Sequence, residues 1–180
     1  SSLVLATGYV NTHFEYCELI QQGDTVFPAQ YIGGGNYEQV LNNDVNGNSY
    51  LRKNGDISYG SGTGKKYKAC GSSPFVTMTI PLRLVMVVPK SKLTDDAFSD
   101  EKLAQDMIST LSAAIAPTIF GVTSLSYNVS SYDTDSLSIW SKEIKGVEYQ
   151  MNFAYSYIAI NFNAVAIVNP SCLIDNCSPY

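Results

Sequence analysis

Between residues 100 and 116 the apolar positions Leu103, Ala104, Met107, Ile108, Leu111 and Ile115 recur as on one face of a helix. Ser99 stands where a cap is needed, and Asp100 and Glu101 bring negative charge to the first turn, against the positive end of the helix dipole. Pro117 ends the pattern. Over residues 149–168 the period changes to two. Ile158, Ile160, Phe162, Ala164, Ala166 and Val168 fall on one side, and Tyr155, Tyr157, Asn161 and Asn163 on the other. This predicts a long strand whose apolar face receives the helix. Residues 76–88 predict another: Val76, Met78, Ile80, Leu82, Leu84, Met86 and Val88 share a face, with Thr77, Thr79 and Arg83 opposite. Val85 and Val87 make its end apolar on both sides, and Pro89 closes it.

Weaker patterns complete the order of elements. Residues 121–130 read as a strand. Residues 135–145 read as a short helix with Leu137, Trp140 or Ser141, and Ile144 together, ended by Gly146; a strand through Leu137 and Ile139 is the alternative. Near the start, residues 9–22 and 25–32 read as two strands around the Gly23-Asp24 turn, with Pro28 pushing the second toward a sheet edge. From Gly33 to Ser73 runs a long, irregular, glycine-rich excursion. Within it residues 49–52 and 57–59 are expected to pair as a hairpin across Lys53, Asn54, Gly55 and Asp56. The expected fold class is α+β: a mostly antiparallel sheet with one main amphipathic helix and one short helix on one face, plus the hairpin-containing insertion. A single domain over residues 1–180 is expected, with the insertion at about 33–73 and extended termini at 1–8 and 169–180.

Composition shifts this picture toward contact surfaces. Charged residues make up 15% of the chain, below the usual roughly 25%. Thirteen tyrosines and many Ser and Asn take their place, and burying these costs less than burying charge. A net charge of -5 argues against a protein that grips phosphates, and Lys65, Lys66 and Lys68 form the one basic cluster. Residues 3–6 are too short for a secretory core, and no apolar run reaches the roughly 18 residues of a membrane helix. The four cysteines, Cys17, Cys70, Cys172 and Cys177, form no C-x-x-C pair, and His13 is the sole histidine, so zinc spacing is absent. Cys172 and Cys177 can close a small loop, or all four can be free thiols.

No constellation of chemistry stands out. G-x-S-x-G is absent, and the glycine clusters lack the Lys-Ser/Thr ending of a phosphate loop. The carboxylate pairs Asp95-Asp96, Asp100-Glu101 and Asp133/Asp135 sit at expected helix starts, where they serve the dipole; a glycosidase pair is the alternative use. Asn42, Asp44, Asn46 and Asn48 alternate like calcium ligands but lack a Glu at the twelfth loop position. Catalytic, cofactor and metal residues are therefore not expected. Candidate interface residues are Tyr31, Tyr50, Arg52, Tyr59, Tyr67 and Trp140.

One resemblance bears on function. The run Ile80-Pro81-Leu82-Arg83-Leu84-Val85-Met86-Val87-Val88-Pro89-Lys90, the helix, a strand, a short helix with Trp140 and Glu143, and the long last strand resemble the neck and tail-terminator proteins of tailed bacteriophages. The segments Phe27-Pro28-Ala29-Gln30-Tyr31 and Tyr50-Leu51-Arg52-Lys53-Asn54-Gly55 are similar to virion proteins of phages that infect Bacteroidetes, the crAss-like group among them. The insertion from Gly33 to Ser73 departs from the compact terminator pattern. The resemblance implies a non-enzymatic, cofactor-free subunit of a homo-oligomeric ring at the head-to-tail junction. Its partners would be adjacent portal, neck or tail proteins and genomic DNA passing without sequence-specific binding. It would have no membrane association and would reside in the virion, assembled in the host cytoplasm. The alternative is a secreted or surface protein-binding module stabilised by disulfides. A carboxylate hydrolase is a third reading.

Overall fold

Two 14-residue strands carry the apolar alternation furthest, and they pair with each other over their whole length. In the computed structural model, which describes residues 16–39, 47–61, 76–93, 99–113, 121–145 and 154–168, β6 (Val76–Pro89) and β8 (Tyr155–Val168) run antiparallel from Val76 opposite Val168 to Pro89 opposite Tyr155. The other strands are β1 (Tyr16–Gln22), β2 (Thr25–Gly33), β3 (Asn36–Gln39), β4 (Asn48–Lys53), β5 (Ser58–Ser61) and β7 (Val122–Asp133). The helices are α1 (Asp100–Leu111) and α2 (Ser136–Glu143), and a short 3-10 turn spans Lys90–Lys92. The described strands form one eight-stranded sheet in the order β3-β2-β1-β4-β6-β8-β7, with β5 also on β6. Every pairing is antiparallel except β1 with β4, which is parallel. The α+β class expected from the pattern is the class observed.

Contrary to the expectation of one shared face, the two helices lie on opposite faces of the sheet. On one side Leu103 and Ala104 of α1 pack with Leu82, Leu84, Met86 and Val88 and with Ile158, Ile160, Phe162 and Ala164. On the other, Ile139 and Trp140 of α2 pack with Tyr50, Val85, Val87, Tyr157 and Ala159. The physical reason is the doubly apolar end of β6: a strand buried on both faces needs a cover on each. α1 begins as anticipated, with the Ser99 hydroxyl accepting from the Lys102 amide at 3.1 Å. Its last helical residue is Leu111, and residues 114–120 lie outside the described set. α2 is turned relative to expectation. Its inward stripe is Ser136, Ile139, Trp140 and Glu143, and Leu137 is 54% exposed. An acid takes the inward place because its partners lie beneath it, as described below.

The glycine-rich excursion is more regular than expected. Gly33, Gly34 and Gly35, with φ of 99°, 62° and 81°, turn β2 into β3 instead of opening a loop. The hairpin expected between residues 49–52 and 57–59 does not form. β4 and β5 instead both pair with β6, one after the other along the same edge. β6 is long enough to take both partners, and Pro81 marks the junction. Its carbonyl accepts from the Asn54 amide at 2.8 Å, and its missing N–H falls between the two ladders. Pro28 works similarly. β2 is flanked by β1 and β3, and among the described residues the β3 ladder reaches only the pair Ala29–Gln39, next to Pro28. The termini 1–8 and 169–180, His13, the basic cluster, Tyr67, Cys70, Cys172, Cys177 and most of the calcium-like loop lie outside the described residues.

Candidate functional site

One rung of the sheet is polar across four strands. Arg52 of β4 stands opposite Arg83 of β6, Arg83 opposite Asn161 of β8, and Asn161 opposite Ser131 of β7. The register of β7 shifts between Val129 and Ser131, which brings Ser131 onto this rung. Two guanidiniums directly opposed repel, and both are buried, Arg83 at 2% exposure and Arg52 at 7%. The compensation comes from α2. Its last residue, Glu143, is fully buried and points onto the rung.

Four donors converge on that carboxylate. Arg52 donates from Nε to Oε2 at 2.8 Å and from Nη2 to Oε1 at 3.0 Å, a two-point fork. Arg83 donates from Nε to Oε1 at 2.5 Å, and the Tyr50 hydroxyl donates to Oε2. The remaining guanidinium nitrogens tie the rung together. Arg83 Nη1 donates to Asn161 Oδ1 at 3.0 Å, and Arg52 Nη1 to Asn54 Oδ1 at 3.0 Å and to the Lys53 carbonyl at 3.1 Å. Asn161 continues the chain by donating to the Ser131 hydroxyl at 2.9 Å. Arg83 Nη2 is buried with no hydrogen-bond partner among the described residues.

The electrostatics follow from this geometry. Burial alone pushes the Glu143 carboxyl upward. The hydrogen bonds from Arg52 and Tyr50 and the charges of Arg52 and Arg83 outweigh it and hold the group below its ordinary value. Burial works against the charge of Arg52, and its bonds and attraction to Glu143 more than restore it. Burial, then the charge and hydrogen bond of Glu143, push the Tyr50 hydroxyl far upward, so it stays a neutral donor. A carboxylate held ionised and saturated by four donors is a weak proton acceptor. The arrangement is suited to clamping α2 to the sheet, not to moving protons. Beside it, Asp133 accepts from Ser138 at 2.5 Å, Lys142 at 3.2 Å and the Asp135 amide at 3.0 Å, and Asp135 caps α2 through the Leu137 amide at 3.2 Å. Both acids serve the helix start, as the sequence suggested.

The structure scatters the six candidate interface residues. Tyr50 and Arg52 belong to the buried cluster, and Trp140 packs edge-on against Tyr157 at 6.1 Å between ring centres. Tyr31 and Tyr59 are surface residues, 57% and 68% exposed, and Tyr67 is outside the described set. Tyr31 meets Tyr37 edge-on at 5.3 Å, and its hydroxyl accepts from the Gly35 amide at 3.1 Å. With Ile32, also 57% exposed, these rings make a braced aromatic tip on the β2–β3 hairpin. Arg83 and Glu143 were not anticipated as a pair. The available signal was a lone arginine inside an otherwise uncharged, doubly apolar strand, which demands a buried acid somewhere. Comparison with protein-family models, curated proteins and solved structures finds no match to this chain. Among the described residues no helix is long and apolar enough to cross a membrane.

Proposed function

We propose that this chain is a structural virion protein, a subunit of a ring at the phage head-to-tail junction. As neck, connector or tail terminator it joins portal to tail and lets DNA pass. The observation that carries the reading is the closed charged cluster. Tyr50, Arg52, Arg83 and Glu143 engage one another, which makes the cluster a strut that stiffens the sheet. Stiff bodies with projecting contact elements suit ring assembly, and the Tyr31–Tyr37 tip projects where a neighbouring subunit can bury it. The negative net charge, -5, favours a passage along which DNA moves without sticking. In this reading the protein carries no cofactor, performs no catalysis and resides in the virion.

The experiment is electron cryomicroscopy of the phage particle together with the purified chain. Density for β6, β8 and the two helices, repeated around the axis between head and tail, is the expected result. Particles lacking the chain, with a monomeric purified protein whose cysteines are oxidised, would overturn the reading in favour of a disulfide-stabilised binding module.

A further inference from the structure

We infer that the outer edge of β7 is a self-association site, at which a second copy of this chain pairs antiparallel about Tyr127. β7 is the last strand of the sheet, bonded to β8 on one side and to no described strand on the other. Between its two register shifts, Ser124 to Val129 form a regular ladder on β8, so this stretch is straight enough to accept a further strand. Edge strands of free-standing proteins are commonly guarded by lysine, proline or brevity. β7 is 12 residues long, contains no proline, and has no charged residue before its last, Asp133.

The side chains select the occupant. On the α1 face Leu125, Tyr127 and Val129 are half-buried, with Tyr127 edge-on to Phe162 at 5.5 Å. The apolar core on that face therefore runs out to the sheet edge. On the other face Ser124, Ser126 and Asn128 are exposed. An antiparallel copy centred on Tyr127 sets Leu125 against Val129 of the second copy, Tyr127 against its own equivalent, and Ser126 against Asn128. Apolar thus meets apolar and polar meets polar in every rung. A charge on the two-fold axis would meet its own copy, and the centre of this edge, from Val122 to Tyr132, carries none. Backbone pairing supplies the affinity and the half-buried apolar row the register. This contact does not depend on the proposed ring. It is isologous, whereas ring closure uses heterologous surfaces, and it is read on the isolated protein.

The test uses the purified full-length chain in three forms. In Tyr127→Cys, oxidised glutathione is expected to give a covalent species of twice the chain mass. Mass spectrometry should place the bond between the two introduced thiols, since directly opposed positions lie within disulfide reach. Ser126→Cys is the control: its two copies are offset along the strand by two residues each way and should not link through the introduced thiol. Because Ser126 and Asn128 are exposed, charges there spare the fold. The double variant Ser126→Lys with Asn128→Lys sets lysine against lysine and is expected to halve the mass seen in sedimentation. Ser126→Lys with Asn128→Glu sets opposite charges together and is expected to keep the dimer. A native chain that is monomeric at all concentrations, or linking of Ser126→Cys in place of Tyr127→Cys, overturns the inference.

Discussion

Glu143→Gln keeps the size of the side chain and removes its charge, so it isolates what the carboxylate does. Arg52 and Arg83 are left buried with two positive charges and no counter-ion, and Gln offers one carbonyl oxygen where four donors now converge on two. Removing one partner of a buried ion pair costs about 3–5 kcal/mol, and with two arginines affected the upper half of that range applies. Against a total stability of about 5–15 kcal/mol this is a large fraction. With a urea slope of about 1–3 kcal/mol/M, the unfolding midpoint should fall by about 2 M. The assay is built in, because Trp140 is the single tryptophan and packs against Tyr157 one turn from Glu143, so its fluorescence reports on α2 leaving the sheet. The triple change Glu143→Leu, Arg52→Met and Arg83→Met removes every charge at once and should fall within about 2 kcal/mol of the native chain. Arg83→Met alone should cost less than Glu143→Gln, because the fork from Arg52 survives. A loss below about 1 kcal/mol for Glu143→Gln would refute the reasoning, since only a hydrated cluster tolerates that change.

Other expectations follow from the same geometry. The folded carboxyl of Glu143 is held below its unfolded value, so its stabilisation is complete above about pH 4.3 and is lost as pH falls through the lower folded value; Tm should be level from neutral pH to about 5 and drop below 4, less steeply in Glu143→Gln. Gly47 has φ of 78°, and a Cβ there would lie 2.5 Å from the Val87 carbonyl oxygen, so Gly47→Ala should lower stability by about 1–3 kcal/mol in urea unfolding. Asp135→Ala removes the cap of α2 and should cost about 1 kcal/mol in the same assay. Tyr31→Ala with Tyr37→Ala, both exposed, should change stability by under about 1 kcal/mol yet reduce incorporation into particles, measured by their protein content.

What the sequence disclosed depended on how far each pattern repeated. β6, β8 and α1 each carry five or more matching apolar positions, and their faces were legible residue by residue. Val85 and Val87 point to a second cover on β6, but nothing local in the sequence says which helix supplies it. α2 spans eight residues, too few for its period to fix its rotation, and hydrophobicity alone points Leu137 inward where the structure has Glu143. Turn residues do not say which partner a strand takes: the glycines at 33–35 close a β2–β3 hairpin where the composition suggests a loop, and the strands on either side of Gly55 both go to β6 because it is long enough to take them. The charged cluster was least legible. Glu143 lies 91 residues from Arg52 and 60 from Arg83, and only the register of three strands brings them together.

The most direct test of the assembly reading is a reconstruction of the neck of the intact phage particle. The account predicts a closed ring of this chain between portal and tail, with the Tyr31–Tyr37 tip buried against a neighbour and the Glu143 cluster intact within each subunit. A neck built wholly from other proteins would contradict it.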